Sequence, residues 1–200
     1  ITHSGSVVMG FANGSLSRLQ NQTLVCMPGI GKARYSRIRT MIERPEGRVL
    51  FASDDHLGAI EEDNAPYTLA PYYTIKSILL TQDNLYIGTH IGLVAHPYEK
   101  IPSTRGNLLP PTKPDTTFRE RIYAMVEHPV TQQLWMGNLR GLFRRIDGKW
   151  QKEGLNNPLL SVSIQDLVFT PDGTLLIATN GAGLLLYKKG RVQQISRSNG

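Results

Sequence analysis

Apolar and polar residues run along this chain in short bursts, not at helical spacing. The clearest burst is Ile164-Gln165-Asp166-Leu167-Val168-Phe169, followed by Pro171-Asp172-Gly173, then Leu175-Leu176-Ile177-Ala178-Thr179 and Gly183-Leu184. It predicts a strand, a tight turn, a second strand, a short loop and a third strand. Proline pre-sets φ near about −65° for the turn, and glycine takes the positive φ that ends it. The same shape recurs upstream. Ile38…Met41-Ile42 leads through Pro45-Glu46-Gly47 to Val49-Leu50-Phe51-Ala52-Ser53. Ile75…Ile78-Leu79 leads through Gln82-Asp83-Asn84 to Leu85-Tyr86-Ile87-Gly88-Thr89 and Gly92-Leu93. Ile122…Met125-Val126 leads to Leu134-Trp135-Met136-Gly137-Asn138 and Gly141-Leu142, and a truncated copy, Val7 to Gly10 and Gly14 to Leu16, opens the chain.

A small residue in the second strand measures the period. It is Gly10, Ala52, Gly88, Gly137 and Ala178, at intervals of 42, 36, 49 and 41 residues. In each full copy the leading Ile precedes it by 14, 13, 15 and 14 residues. The strand pair is therefore constant, and the length variation lies in the loops. About 42 residues fit one four-stranded blade of a β-propeller. Blades pack face to face, so a central strand buried on both sides reads as a continuous apolar run, as Leu85 to Ile87 and Leu175 to Ile177 do. Glycine or alanine at a fixed place lets the neighbouring sheet approach. The fold expected is all-β: a single β-propeller segment over 1–200, about four and three-quarter blades cut from a larger ring, with essentially no helix. With strands a to d counted outward from the axis, the copies are 36–70, 73–113, 119–156 and 161–196, preceded by strands b, c and d of another blade in 5–27. The proline-rich stretch from Ile101 to Phe118 shows no strand pattern, and is either a surface excursion or a distorted outer strand.

Composition narrows the picture. Of 200 residues, 40% are hydrophobic and 19% charged, which excludes a disordered chain. No apolar run approaches the roughly 20 residues of a membrane-spanning helix. One cysteine, Cys26, excludes an internal disulfide and a multi-thiolate zinc site, and is expected as a small strand hydrophobe. Residues 1–100 carry 9 basic and 9 acidic side chains and residues 101–200 carry 13 and 7, so the net +6 lies in the second half. The cluster Arg140, Arg144, Arg145, Lys149 and Lys152 reads as a solvated face. Aromatics are not interleaved with it, so no nucleic-acid partner is expected. The start at Ile1 suggests a processed chain or an excised piece.

The pattern Ile-x-x-Leu…Asp-Gly-x-Leu-x-Ile-(Gly/Ala)-Thr…Gly-Leu resembles the two-component regulator propeller repeat. The match is closest at 164–184 and 75–93 and good at 122–143. It departs at 38–60, where Ser53 replaces Thr and the Gly-Leu pair is lost, and at 7–16, which lacks strand a. The resemblance implies a periplasmic sensor segment of a two-component histidine kinase, non-enzymatic itself and not membrane-spanning, with more blades, a membrane span and a kinase elsewhere in the parent. It implies a small-molecule or oligosaccharide ligand and pairing as a homodimer through the parent. A general interaction scaffold and, less well supported by the residues, a propeller lyase or glycosidase are the alternatives.

In a propeller the d–a and b–c loops share one face, around the channel mouth. Here they hold Arg34, Asp54, Tyr72, Tyr73, His90, Arg119, Arg140 and Asn180, a set suited to stacking on and hydrogen-bonding a sugar or polar metabolite. The plainer reading is that Asp and Asn form turns and Tyr72-Tyr73 begins strand a. Asp54-Asp55-His56 and Glu61-Glu62-Asp63 also read as turns, because three consecutive residues rarely converge on a metal. His96 and His128 each precede a proline and are expected in loops. No catalytic constellation is apparent, and no cofactor or metal is expected.

Overall fold

The computed structural model describes residues 2, 5–27, 35–60, 66–72, 74–103, 107–109 and 120–197. Among them the strands form five antiparallel sheets, each a meander in sequence order, and the chain divides into two compact units, Ile1–Asp115 and Thr116–Gly200. The fold is all-β and is that of a β-propeller. The helical turns described are two short 3-10 turns, Tyr98–Lys100 and Pro158–Ser161.

The first unit holds three blades. The first has three strands, β1 (Val7–Gly10), β2 (Leu16–Gln20) and β3 (Thr23–Cys26). The second has four: β4 (Ile38–Glu43), β5 (Val49–Ser53), β6 (His56–Ile60) and β7 (Tyr67–Pro71). The third has β8 (Ile75–Leu80), β9 (Asn84–Thr89) and β10 (Leu93–Pro97). Strand β5 is buried along its whole length, and alternation explains why. Val49 and Phe51 pack with Leu16 and Tyr35 on the first-blade side, while Leu50 and Ala52 pack with Ile75 and Ile87 on the third-blade side.

The second unit holds the fourth blade, β11 (Ile122–Glu127), β12 (Leu134–Asn138), β13 (Gly141–Ile146) and β14 (Lys149–Lys152), and the fifth, β15 (Ile164–Phe169), β16 (Leu175–Thr179), β17 (Leu184–Lys188) and β18 (Arg191–Ile195). Their shared core joins Trp135, Leu142, Ile164, Leu175, Ile177 and Leu185. Strand β16 departs from the expectation of burial on both faces. Leu175 and Ile177 are fully buried against the fourth blade, but Leu176 between them is only half-buried.

The small residue and the leading isoleucine of the next copy are contact partners. A Cβ on Gly10 would lie 2.4 Å from Ile38 Cγ2, and one on Gly137 would lie 2.3 Å from Ile164 Cγ2. At Gly10 and Gly137 the next blade's first strand thus presses too close for a side chain, whereas Ala52 is accommodated beside Ile75. The four leading isoleucines share a second device. Register shifts by one residue just after Ile38, Ile75, Ile122 and Ile164, so each inner strand carries a bulge at its first residues. The bulge re-aims Arg39, Lys76, Tyr123 and Gln165.

The stretch after β10 resolves one open question. No fourth strand of the third blade is described. Instead the chain returns to the second blade. Leu109 is buried and its N–H donates to Leu69 O of β7 at 2.9 Å, and the Arg48 guanidinium donates to Pro102 O at 2.5 Å and to Ser103 O. The Pro45-Glu46-Gly47 turn helps hold it. Tyr98 donates to Glu46 at 2.9 Å, and buried Arg44 lies 4.5 Å from the Tyr98 ring centroid. Two local expectations are corrected. His96 is not in a loop but on β10, only 1% exposed, because the strand runs through to Pro97 at its last position. Cys26 is on a strand but exposed, because β3 is an outer edge.

Candidate functional site

In each of the four full copies one side chain builds the b–c turn. Thr89 Oγ1 donates to Gly92 O at 2.9 Å and accepts from Ile91 N at 3.2 Å. Thr179 repeats this with Gly183 O at 2.7 Å and Ala182 N at 3.0 Å. Ser53 supplies the same hydroxyl in the second blade, accepting from the His56 N–H at 2.9 Å, while its own proton goes to Asp55. Asn138 uses its side-chain carbonyl to accept from Arg140 N at 2.8 Å. In the four full copies the residue after the small position is thus a clasp that closes the turn, which is why Ser can stand where the repeat has Thr.

The clasp fixes where the predicted residues lie. Asp54 donates its N–H to Arg37 O at 3.1 Å and accepts from Ile75 N at 3.2 Å, joining its turn to the inner strands of the second and third blades. Its carboxylate pairs with Arg39 Nε at 2.5 Å. Asp55 O accepts from Tyr72 N at 2.8 Å, so Asp54 and Tyr72 belong to one loop cluster. The Tyr72 side chain bonds the imidazole Nε2 of buried His96. Burial pushes the Tyr72 hydroxyl up to about 12 and lowers His96 below its ordinary value. His90 is half-buried in the corresponding turn of the third blade. In the second unit, exposed Arg140 pairs with Glu120 at 2.7 Å, and Asn180 donates its N–H to Ser163 O at 2.8 Å. Each lies beside the start of its own blade's inner strand. Arg34, Tyr73 and Arg119 lie outside the described residues.

Asp55 is the most heavily engaged carboxylate here. It accepts from Ser36 Oγ at 2.5 Å and Ser53 Oγ at 2.8 Å, and His56 Nδ1 stands 3.0 Å away. Burial opposes its ionisation, but the hydrogen bonds from Ser36, His56 and Ser53 and the charge of His56 outweigh it, holding the carboxyl well below the usual range. Sequence reasoning missed Arg39 and Glu120, the partners of Asp54 and Arg140. For Arg39 the available signal was position, since the residues flanking each leading Ile are polar or aromatic in every full copy, whereas Glu120 stands two residues before Ile122 and carries no such mark.

No protein-family model matches the chain, and no curated protein matches it. Solved structures do. The chain is similar to the extracellular domain assigned to the hybrid two-component system BT4673 of B. thetaiotaomicron, with a TM-score of 0.68 and 20% identity, over 86% of this chain and 23% of that one. It is similar to PorZ, an essential surface component of the type-IX secretion system of Porphyromonas gingivalis, with a TM-score of 0.76 and 12% identity, over 100% of this chain and 34% of that one. It is also similar to the virginiamycin B lyase of Staphylococcus aureus, solved as an inactive variant with quinupristin, with a TM-score of 0.71 and 13% identity, over 97% of this chain and 67% of that one. The chain thus spans only about a quarter to a third of the first two. These likenesses establish the fold, and the first agrees with the repeat resemblance carried by 75–93, 122–143 and 164–184. No helix among the described residues is long and apolar enough to cross a membrane.

Proposed function

We propose that this chain is a non-catalytic, ligand-sensing segment of an extracytoplasmic two-component sensor, periplasmic in the parent protein and acting there as a homodimer. The repeat carries the reading. Its leading Ile, small residue and turn clasp are the residues that define the regulator propeller pattern, and they act here as one structural unit. The likeness to an extracellular domain of a hybrid two-component system supports it.

A small molecule or oligosaccharide would be met at the b–c turns of either unit by itself. Their charged groups are held in exposed or half-exposed pairs, Asp54 with Arg39 in the first unit and Arg140 with Glu120 in the second. Such pairs contribute only about 0–1 kcal/mol. Either can exchange its partner for a ligand at little cost. Arg140 offers a planar fork of donors suited to carboxylates and vicinal hydroxyls.

Two measurements test this. A glycan and metabolite screen by thermal shift should yield a ligand that stabilises the chain, and Arg140→Ala should lose that shift. A ligand whose effect survives Arg140→Ala and also survives Asp54→Ala sinks both turn sites. Reading the gene beyond the codon for Gly200 should reveal a membrane span and a histidine-kinase region, and a reading frame that encodes neither overturns the sensor assignment.

A further inference from the structure

The fourth and fifth blades enclose a cleft of about 640 Å³ at the a–b and c–d ends of their strands, opposite the b–c turns. That volume is in the range of small-molecule sites. Its apolar wall is aromatic. Trp135 is tilted against Tyr187, with ring centroids 5.5 Å apart, and meets Phe169 edge-on at 6.1 Å. His128 packs on Phe169 at 4.7 Å.

The polar groups at the cleft divide unevenly. The two carboxylates are engaged. Glu153 accepts from the Tyr187 hydroxyl at 2.6 Å and pairs with Arg144 Nε at 3.1 Å. Burial, together with the hydrogen bond to Glu153 and its charge, pushes Tyr187 up to about 12, so it remains a donor. Asp172 accepts from Thr170, from Thr174 Oγ1 at 3.0 Å and from Lys188 Nζ at 2.5 Å.

The donors are left over. Trp135 is only 4% exposed, lines the cleft, and its Nε1–H has no hydrogen-bond partner. That nitrogen is itself sealed from the cleft, so the indole contributes ring surface there and not its donor. His128 Nδ1 accepts from Val130 N at 3.1 Å and Thr131 N at 3.2 Å, which places the proton of the neutral ring on Nε2. Lys189 lines the cleft from the β17–β18 turn and has no ion-pair partner among the described residues.

We propose that this cleft binds a small arylcarboxylate, its ring against the aromatic wall and its carboxylate accepting from His128 Nε2 and Lys189. A neutral sugar fits less well. Its hydroxyls must donate as well as accept, and the carboxylates that would receive them are already bonded. An inorganic phosphate would leave the aromatic wall unfilled.

Both tryptophans lie in the fourth blade, so Trp150→Phe leaves Trp135 as the sole indole reporter. Titrating that variant of the full chain with phenylacetate should give a saturable fluorescence change with a Kd on the order of 0.1–1 mM. Phenylacetamide should bind about ten-fold more weakly, since it lacks the charge that strengthens the hydrogen bonds. Lys189→Ala should weaken phenylacetate several-fold while leaving the urea midpoint unchanged, which separates binding from folding. The proposal is overturned by no saturable response to phenylacetate, by equal affinity for the amide, or by tighter binding of cellotriose. Because the cleft is at the strand ends opposite Arg140 within the second unit, its outcome is independent of the test at the b–c turns.

Discussion

Gly137 stands in β12 where Ile164, the first residue of β15, presses on it. Replacing it with alanine places a methyl carbon 2.3 Å from Ile164 Cγ2 and 2.9 Å from its Cβ. Neither neighbour has room to give: Ile164 is fully buried and Cβ is fixed to the backbone. Overpacking of this kind costs about 1–3 kcal/mol. Removing a glycine from a strand interior returns about 0.5–1 kcal/mol of backbone entropy, so Gly137→Ala should destabilise by about 1–2 kcal/mol. Ile164→Ala alone should cost about 2–5 kcal/mol through the cavity it leaves. In the double variant the methyl added at position 137 occupies space that the truncated side chain vacates, so the two losses should fall short of their sum by about 1–2 kcal/mol. The assay is urea unfolding followed by tryptophan fluorescence, which reports on the fourth blade because both indoles are there. With a slope of about 2 kcal/mol per molar urea, Gly137→Ala should lower the midpoint by roughly 0.5–1 M. An unchanged midpoint, or losses that add to within about 0.5 kcal/mol, refutes the interlock.

Two further outcomes follow from the first unit. Thr89→Val keeps the shape of a 3%-exposed side chain but removes its bonds with Gly92 O and Ile91 N. It should cost about 1–2 kcal/mol, seen as faster amide exchange at Ile91, whereas Thr89→Ser should restore protection. Burial lowers His96 from its ordinary value near 6.5, so the unfolded chain takes up a proton at a pH where the folded chain does not. Stability from this group is therefore complete above about pH 6.5 and is lost as pH falls from there through the folded value. An NMR titration of the His96 ring should place its midpoint below 6.5, and a midpoint at or above that refutes the assignment of a buried neutral imidazole.

Much of the architecture is legible in residue order because the repeat is local. An isoleucine, a small residue 13 to 15 positions later and a hydroxyl or amide after it specify a strand pair and the turn that follows, using bonds between near neighbours. The continuous apolar runs specify that the central strands are core strands, though not that both faces of β16 are covered. Turn glycines such as Gly173, at φ +79°, are equally local, since only backbone freedom is at stake.

What the order of residues could not decide is everything set by a neighbouring sheet. That Gly137 meets Ile164 depends on two blades facing each other, and nothing in either strand names its partner. The segment after β10 carries no strand pattern because its bonds go to Arg48 and Leu69 of another blade. His96 reads as a loop residue beside a proline, yet it is buried because a strand edge tolerates proline where the N–H is not needed. Arg144 was one of five basic residues on an apparently solvated face, and the fold pairs it with Glu153 and sets it 5.4 Å from the centroid of the Trp135 ring. The aromatic cleft was invisible for the same reason. His128, Trp135, Phe169, Tyr187 and Lys189 are spread over more than 60 positions, and only the packing of two twisted sheets brings them to one wall. Sequence alone determined the repeating unit, because its bonds are short-range. Tertiary structure decided which donors are left without acceptors, because that depends on what the facing blade supplies.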